Sequence, residues 1–230
     1  MTSQAGVPER VRAVVFDLDG VLVDSLTVAR TAFAVAYAEV VGDGEPPVEE
    51  YCRHPGRHLP DVLRLMGLPA SMAEPFVRES HRLTHLVEVV PGMVEVLDVL
   101  RGRGVPLAVA TGRSGVRARA LLGHLGLMSR FEAVLGADEV PRPKPAPDIV
   151  LRALALLDVP PAAAVMVGDA VSDIRSARGA GVTAVAVGWG ETDRRTLVAA
   201  RPDLVVDEPA DLLRVCAGPT WADADRAARS

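Results

Sequence analysis

The stretch Val11-Arg12-Ala13-Val14-Val15-Phe16-Asp17-Leu18-Asp19-Gly20 is a short apolar run that ends on two carboxylates and a glycine. A continuously apolar run bounded by turn residues is the pattern of a strand buried on both faces of a parallel sheet. The pattern recurs at residues 105–110, 133–136, 163–167 and 182–187, with a sixth strand expected at 204–206. Helical spacing lies between these runs. Val150, Ala153, Leu154 and Leu157 recur at helical intervals, and Pro147 suits a first turn. Ser114 suits the N-cap of a helix ending near Gly126. Strands alternating with helices predict an α/β fold with a doubly wound, mostly parallel sheet of the Rossmann-like kind.

One interval breaks the alternation. About ninety residues separate the first two runs, whereas a βαβ unit needs only about 30. Most of 25–90 reads as helix, over 26–41, 58–66 and 71–89, with Phe76, Ser80, Leu83 and Val87 sharing one face of the last. This predicts an inserted all-helical cap domain. The expected division is 1–24 and 91–217 for the α/β core and 25–90 for the cap. Hinges are expected at Asp24-Ser25 and at 90–92, and a loose tail over 218–230.

Composition narrows the class further. The chain has 230 residues, 49 % apolar and 24 % charged, with a formal net charge of −5. That balance predicts a soluble globular protein with a sizeable core. No basic run offers a nucleic-acid footprint, and no uninterrupted apolar stretch of about 18 residues suggests a membrane span. Residues 1–10 lack the apolar centre of a secretory signal, and two cysteines make no disulfide framework, so a cytoplasmic protein with free thiols is expected. Lys144 is the single lysine in a chain otherwise using arginine for every basic position.

Polar groups gather where strands end. Asp17 follows the first apolar run, Thr111 the second, and Gly168-Asp169 the fourth. Open α/β sheets bind ligands at strand carboxyl ends. Asp17 is suited to nucleophilic attack and Asp19 to general acid and base work, its pKa expected to rise beside other acids. Gly20 permits a tight turn between them. A phosphate would need cations in so acidic a place. Asp169, with Asp173 behind it, could complete a hard oxygen site for Mg²⁺. Lys144 could place an ammonium against a phosphoryl oxygen or against Asp17, and Thr111 and Gly112 offer a hydroxyl and an open N–H. Taken singly, each has a plain reading as a solvated turn, an N-cap or a loop lysine.

Together these residues resemble the four motifs of the haloacid dehalogenase superfamily. Asp17-Leu18-Asp19-Gly20-Val21-Leu22-Val23-Asp24-Ser25 matches the first motif, Thr111-Gly112 the second, Lys144 the third, and Gly168-Asp169 through Asp173 the fourth. The resemblance spans roughly 11–216 and is closest to the helical-cap, phosphoglycolate-phosphatase-like group. It implies a Mg²⁺-dependent phosphatase acting on a small-molecule phosphate ester. It also implies roles: Asp17 as nucleophile, Asp19 as acid/base and backbone metal ligand, Thr111, Gly112 and Lys144 on the phosphate, Asp17, Asp19 and Asp169 at the metal, and Asp173 supporting the metal's waters. The role of Arg113 is not carried over. Residues 50–69, 75–83 and 139–150 look similar to phosphatases associated with 3-amino-5-hydroxybenzoate (ansamycin precursor) biosynthesis, which implies a sugar-phosphate-like substrate.

Other residues carry less. His81, His85 and Glu88 could share a helix face and bind a metal, but a solvated cap helix is the plainer reading. Cys52 and Cys216 read as unreactive thiols. Trp189 suits either the mouth of the site or packing. Arg57, beside Gly56, is the candidate for reading the leaving group, against a solvated arginine. A cis bond is expected at Lys144-Pro145. Three competing functions stay open on these residues: a sugar phosphomutase, a dehalogenase, which needs neither metal nor Asp19, and a phospho-accepting signalling module, in which the phosphorylated Asp follows the third strand. The oligomeric state is open.

Overall fold

A computed structural model describes residues 11–217; the expected tail at 218–230 lies outside them. The strands are β1 (Ala13–Phe16), β2 (Val23–Asp24), β3 (Glu88–Val89), β4 (Leu107–Ala110), β5 (Ala133–Leu135), β6 (Ala164–Gly168), β7 (Thr183–Val187) and β8 (Leu204–Val206). The helices are α1 (Leu26–Val40), α2 (Val48–Tyr51), α3 (Leu59–Leu65), α4 (Ala73–Arg82), α5 (Met93–Gly102), α6 (Gly115–His124), α7 (Asp148–Leu157), α8 (Val171–Ala180), α9 (Arg194–Ala199) and α10 (Asp211–Ala217).

Six strands form one parallel sheet in the order β5-β4-β1-β6-β7-β8. The chain leaves β1 to one side for β4 and β5, then returns to β6 on the other side, so the strand order switches direction at β1. Alternate residues of the strands serve opposite faces. Val14 and Phe16 pack into a cluster with Leu97, Leu100 and Leu122. Ala13 and Val15 join Ile149, Leu154 and Ile174 on the other face. Both faces are covered, which is why these strands are apolar but for Thr183 at the start of β7.

The long interval after β1 is a helical insertion, as expected, with a core of its own. Phe33, Ala36, Leu63, Met72 and Phe76 pack together. Tyr51 stacks on Phe33 at 4.5 Å and tilts against Phe76 at 5.9 Å. Truncating the fully buried Phe33 to alanine is expected to cost about 3–5 kcal/mol, read by chemical denaturation.

The helix expected over 71–89 is broken. Only Ala73–Arg82 is α-helical, Thr84–Leu86 is a 3₁₀ turn, and Glu88–Val89 is a strand. Phe76, Ser80, Leu83 and Val87 are nevertheless all buried. Leu83 N–H still donates to Glu79, but Leu86 and Val87 N–H turn to carbonyls three residues back, which tightens the helix into 3₁₀. β3 then pairs antiparallel with β2, Val23 opposite Val89 and Asp24 opposite Glu88. This clasp joins the two expected hinge segments. It also removes Glu88 from any helix shared with His81, so the alternative metal group His81/His85/Glu88 has no common face.

Candidate active site

The acids sit where parallel strands end. β1 delivers Asp17, β4 delivers Thr111, and β6 runs through Gly168 into Asp169, on neighbouring strands. Asp17, Thr111, Asp169 and Asp173 are each 1 % exposed, and Lys144 is 3 % exposed. Desolvated charges at this depth persist only when paired or when a ligand completes them.

Lys144 supplies most of the pairing. Its ammonium lies 2.9 Å from Asp17 Oδ1 and 2.7 Å from Asp173 Oδ1, and donates to the Ala110 carbonyl at 3.0 Å. Three donors thus have three acceptors, and the Asp17 contact is one of the two expected for this ammonium. Burial opposes the charge of Lys144, but Asp17 and Asp173 outweigh it and raise its pKa. The Lys144-Pro145 bond is cis, as expected.

The carboxylates are only partly satisfied. Asp17 Oδ1 also accepts the Leu18 N–H at 2.7 Å, and Asp169 Oδ2 accepts the Glu191 N–H at 2.7 Å. Asp17 Oδ2 and Asp169 Oδ1 have no hydrogen-bond partner among the described residues. Asp173 is used up, since its Oδ2 accepts the Ala170 N–H at 3.0 Å and its Oδ1 faces Lys144. One oxygen from each of Asp17, Asp169 and Asp173 lies within 4.8 Å of the others. Burial raises the pKa of Asp17 well above the carboxylate range; Asp173 and Asp169 add to this, and Lys144 only partly offsets it. Asp169 is raised likewise, by burial first and then by Asp173 and Glu191. Two carboxyl oxygens without partners in one buried acidic cluster are what a hard divalent cation would satisfy, so the donor set fits such an ion.

Asp19 differs from expectation. Its side chain takes no part in this cluster. Arg113 holds it in a fork, Nε to Oδ2 at 2.7 Å and Nη2 to Oδ1 at 2.6 Å, and the Ser25 hydroxyl donates to Oδ1 as well. Burial would raise its pKa, but Arg113 outweighs burial and the net shift is downward. The expected rise is therefore corrected: a bidentate guanidinium stabilises the ionised form more than desolvation disfavours it. Only the backbone carbonyl of Asp19 remains for the metal role implied by the resemblance. Gly20, at φ +76°, makes the turn that frees this side chain, and a Cβ there would strike the Asp169 carboxylate.

Above the acids lies a cavity of ≈ 90 Å³ lined from both the core and the helical insertion. Asp17, Asp19, Thr111, Gly112, Arg57 and Arg113 all line it. Lys144, Asp169 and Asp173 stand behind this lining. The loop carrying Pro55 and Gly56 comes down onto the core, with Ser172 Oγ donating to the Pro55 carbonyl at 3.3 Å. A Cβ on Gly112 would lie 2.7 Å from the Gly56 carbonyl and 2.8 Å from that of Arg57, so glycine is what lets the two loops meet.

Several lining residues carried no assignment in the sequence reading. Arg113 is the partner of Asp19. Glu191 is pushed up to about 8, by burial first and then by Asp19 and Asp17. Tyr51 and Arg117 also reach the cavity. Glu191 and Arg117 stand 172 and 98 residues or more from Asp19, with no motif to mark them; Glu191 follows the Gly188-Trp189-Gly190 turn after β7. Trp189 itself packs against the core, and its Nε1 donates to the Val21 carbonyl at 3.3 Å.

Comparison with known proteins agrees with this geometry. A family profile described as haloacid dehalogenase-like hydrolase matches residues 14–187. A protein of Dickeya dadantii (strain 3937) named "Probable phosphatase IndB" is 36 % identical over 215 residues, covering 84 % of this chain and 88 % of its own length. A phosphoglycolate phosphatase of Synechococcus elongatus is 34 % identical, over 88 % of this chain and 96 % of that protein. Among solved structures, a hydrolase from Pseudomonas syringae superposes with a TM-score of 0.78 at 27 % identity, covering 88 % of this chain and 96 % of that one.

Proposed function

The chain belongs to the haloacid dehalogenase-like hydrolase family, and from that premise we propose that it is a Mg²⁺-dependent phosphatase that hydrolyses a small phosphomonoester through an aspartyl phosphate on Asp17. The observation that carries this reading is the pair of orphaned oxygens, Asp17 Oδ2 and Asp169 Oδ1, buried together under a small cavity beside the lone lysine.

Each residue then has a task. Lys144 orients Asp17 by holding Oδ1, which leaves Oδ2 unencumbered. A carboxylate oxygen of Asp17 attacks phosphorus and the ester oxygen departs with a proton from Asp19. The same Asp19 then takes a proton from water, which hydrolyses the acyl phosphate. At rest Asp19 is an ionised base clamped by Arg113, so it must leave the clamp to act as an acid. Thr111 and Gly112, lining the cavity, receive the phosphoryl oxygens. Asp17, Asp169 and the backbone of Asp19 would hold Mg²⁺, which supplies charge neutralisation for the phosphoryl group. Residues 25–90 act as a cap over a core of 1–24 and 91–217, turning on the β2/β3 clasp, and Arg57 in its loop faces the leaving group. No helix among the described residues is long and apolar enough to cross a membrane.

The test is metal dependence read two ways. Phosphate release from an aryl phosphate should need Mg²⁺ and stop with EDTA. Independently, Mg²⁺ at a hundredfold excess over its Kd should stabilise the fold by about 2.7 kcal/mol, a rise of roughly 5–10 °C in Tm. Undiminished turnover in EDTA, with no thermal shift, would overturn the reading. Isomerisation of a hexose phosphate without release of phosphate would favour the mutase instead.

A further inference from the structure

Asp19 is tied to two separate parts of the molecule. Arg113, in the loop after β4, grips both of its carboxylate oxygens, at 2.7 and 2.6 Å. Ser25, between β2 and α1, donates its hydroxyl to Oδ1, the oxygen that Arg113 Nη2 already holds. Ser25 stands at the N-cap of α1, where a serine hydroxyl ordinarily accepts a backbone N–H of the first turn. Here it caps nothing, and the hydroxyl serves Asp19 instead. Ser25 is 2 % exposed, and the Arg113 and Asp19 side chains are 16 % and 21 % exposed, so little water competes for these contacts. The backbone of Arg113 is fixed as well. Its N–H donates to Thr111 Oγ1 at 3.2 Å, and its carbonyl accepts the Ala137 N–H at 2.8 Å. Arg117 adds a smaller attraction on Asp19. A bidentate guanidinium–carboxylate pair is strong and directional, and every donor aimed at Asp19 requires it to accept.

We propose that Arg113 is a positioning residue for Asp19 that sets the balance between the two half-reactions: it holds the carboxylate in the acceptor arrangement that draws a proton from water, at the expense of the donor arrangement that releases the alcohol. This rests on the phosphatase reading and gives a role to a residue that the family resemblance leaves without one. Ser25 is the second tie. It leads directly into the helical insertion, so movement of the insertion reaches Asp19 through this bond, while the fork of Arg113 belongs to the core.

Two esters test it on the full chain with Mg²⁺: ethyl phosphate, whose alcohol leaves with a proton, and 4-nitrophenyl phosphate, whose phenolate leaves without one. kcat/KM covers the steps up to departure of the leaving group. The ratio of the ethyl to the nitrophenyl value therefore isolates proton donation and cancels any general damage to the site. Arg113→Met should raise that ratio by about 10–100-fold, the worth of hydrogen bonds to a charged group. The same variant should slow the second step, so acid-quenched protein with nitrophenyl phosphate should carry more labelled phosphate than the wild type. Arg113→Lys restores one contact of the fork and should fall between the two. Ser25→Ala leaves the fork in place and should raise the ratio by a smaller factor, which gives a reading even where Arg113→Met does not fold. A purely structural role would lower both esters alike and leave the ratio where it stands. An unchanged or lowered ratio in either variant would overturn the assignment. A wild type inactive on both esters would remove the phosphatase reading itself.

Discussion

Asp17→Asn is expected to lower phosphate release by about 10⁴-fold or more, the scale on which enzymes lose their nucleophile. The amide leaves the shape of the site intact but has no anionic oxygen to form an acyl phosphate. Acid-quenched wild-type enzyme with substrate should carry labelled phosphate, and the variant should carry none. The same change should not weaken the metal-free fold. The pKa of Asp17 is raised in the folded state, so its contribution to stability is present below the ordinary carboxylate pKa and is lost as pH rises through the raised value. Ionising this carboxyl beside Asp169 and Asp173 is therefore a liability, and an amide escapes it. Thermal melts should show Asp17→Asn at or above the wild type without Mg²⁺, with a smaller rise when Mg²⁺ is added. A variant that retained turnover would remove Asp17 from the chemistry.

Lys144→Met is the second large effect, and it falls on the fold as well as on the reaction. Among the described residues the ammonium is the one cation paired with Asp17 and Asp173, and all three groups are buried. Removing one partner of a buried ion pair costs about 3–5 kcal/mol, which for a domain this size is a fall of roughly 6–20 °C in Tm. The carboxylates left behind are driven further toward the protonated form, so the loss should be larger at pH 8 than at pH 5. Turnover should fall by at least about 10²-fold, since Asp17 loses its orienting partner. Arg is not an equivalent substitute, because a compact ammonium meets three converging acceptors where a planar fork does not. A Lys144→Met protein as stable and active as wild type would show that the pairing carries neither burden.

Much of the architecture was legible in the residue order. The six sheet strands lie within the apolar runs or within one to two residues of them, because a strand covered on both faces has no room for polar side chains. The helical insertion was legible from the length of the interval together with the helical spacing inside it. The helix over 71–89 was not read correctly. Its apolar spacing is real, yet local turns and the pairing of Glu88–Val89 with Val23–Asp24 end the helix at Arg82. Strand pairing across sixty-four residues leaves no trace in a local period.

The site divides the same way. Asp17, Thr111, Lys144 and Asp169 could be picked out one by one because each falls at a strand end or breaks a compositional habit, and chain order then grouped them. Those identities, and the family they point to, were determined by the sequence by itself. The charge state of Asp19 was not. It depends on Arg113, ninety-four residues away, whose fork reverses the shift that burial alone would cause. Nor could residue order show that Lys144 turns to Asp17, that Arg117 reaches the cavity, or that Gly56 and Gly112 meet backbone to backbone. Electrostatic energies follow distances and desolvation, and those exist only once the chain is packed.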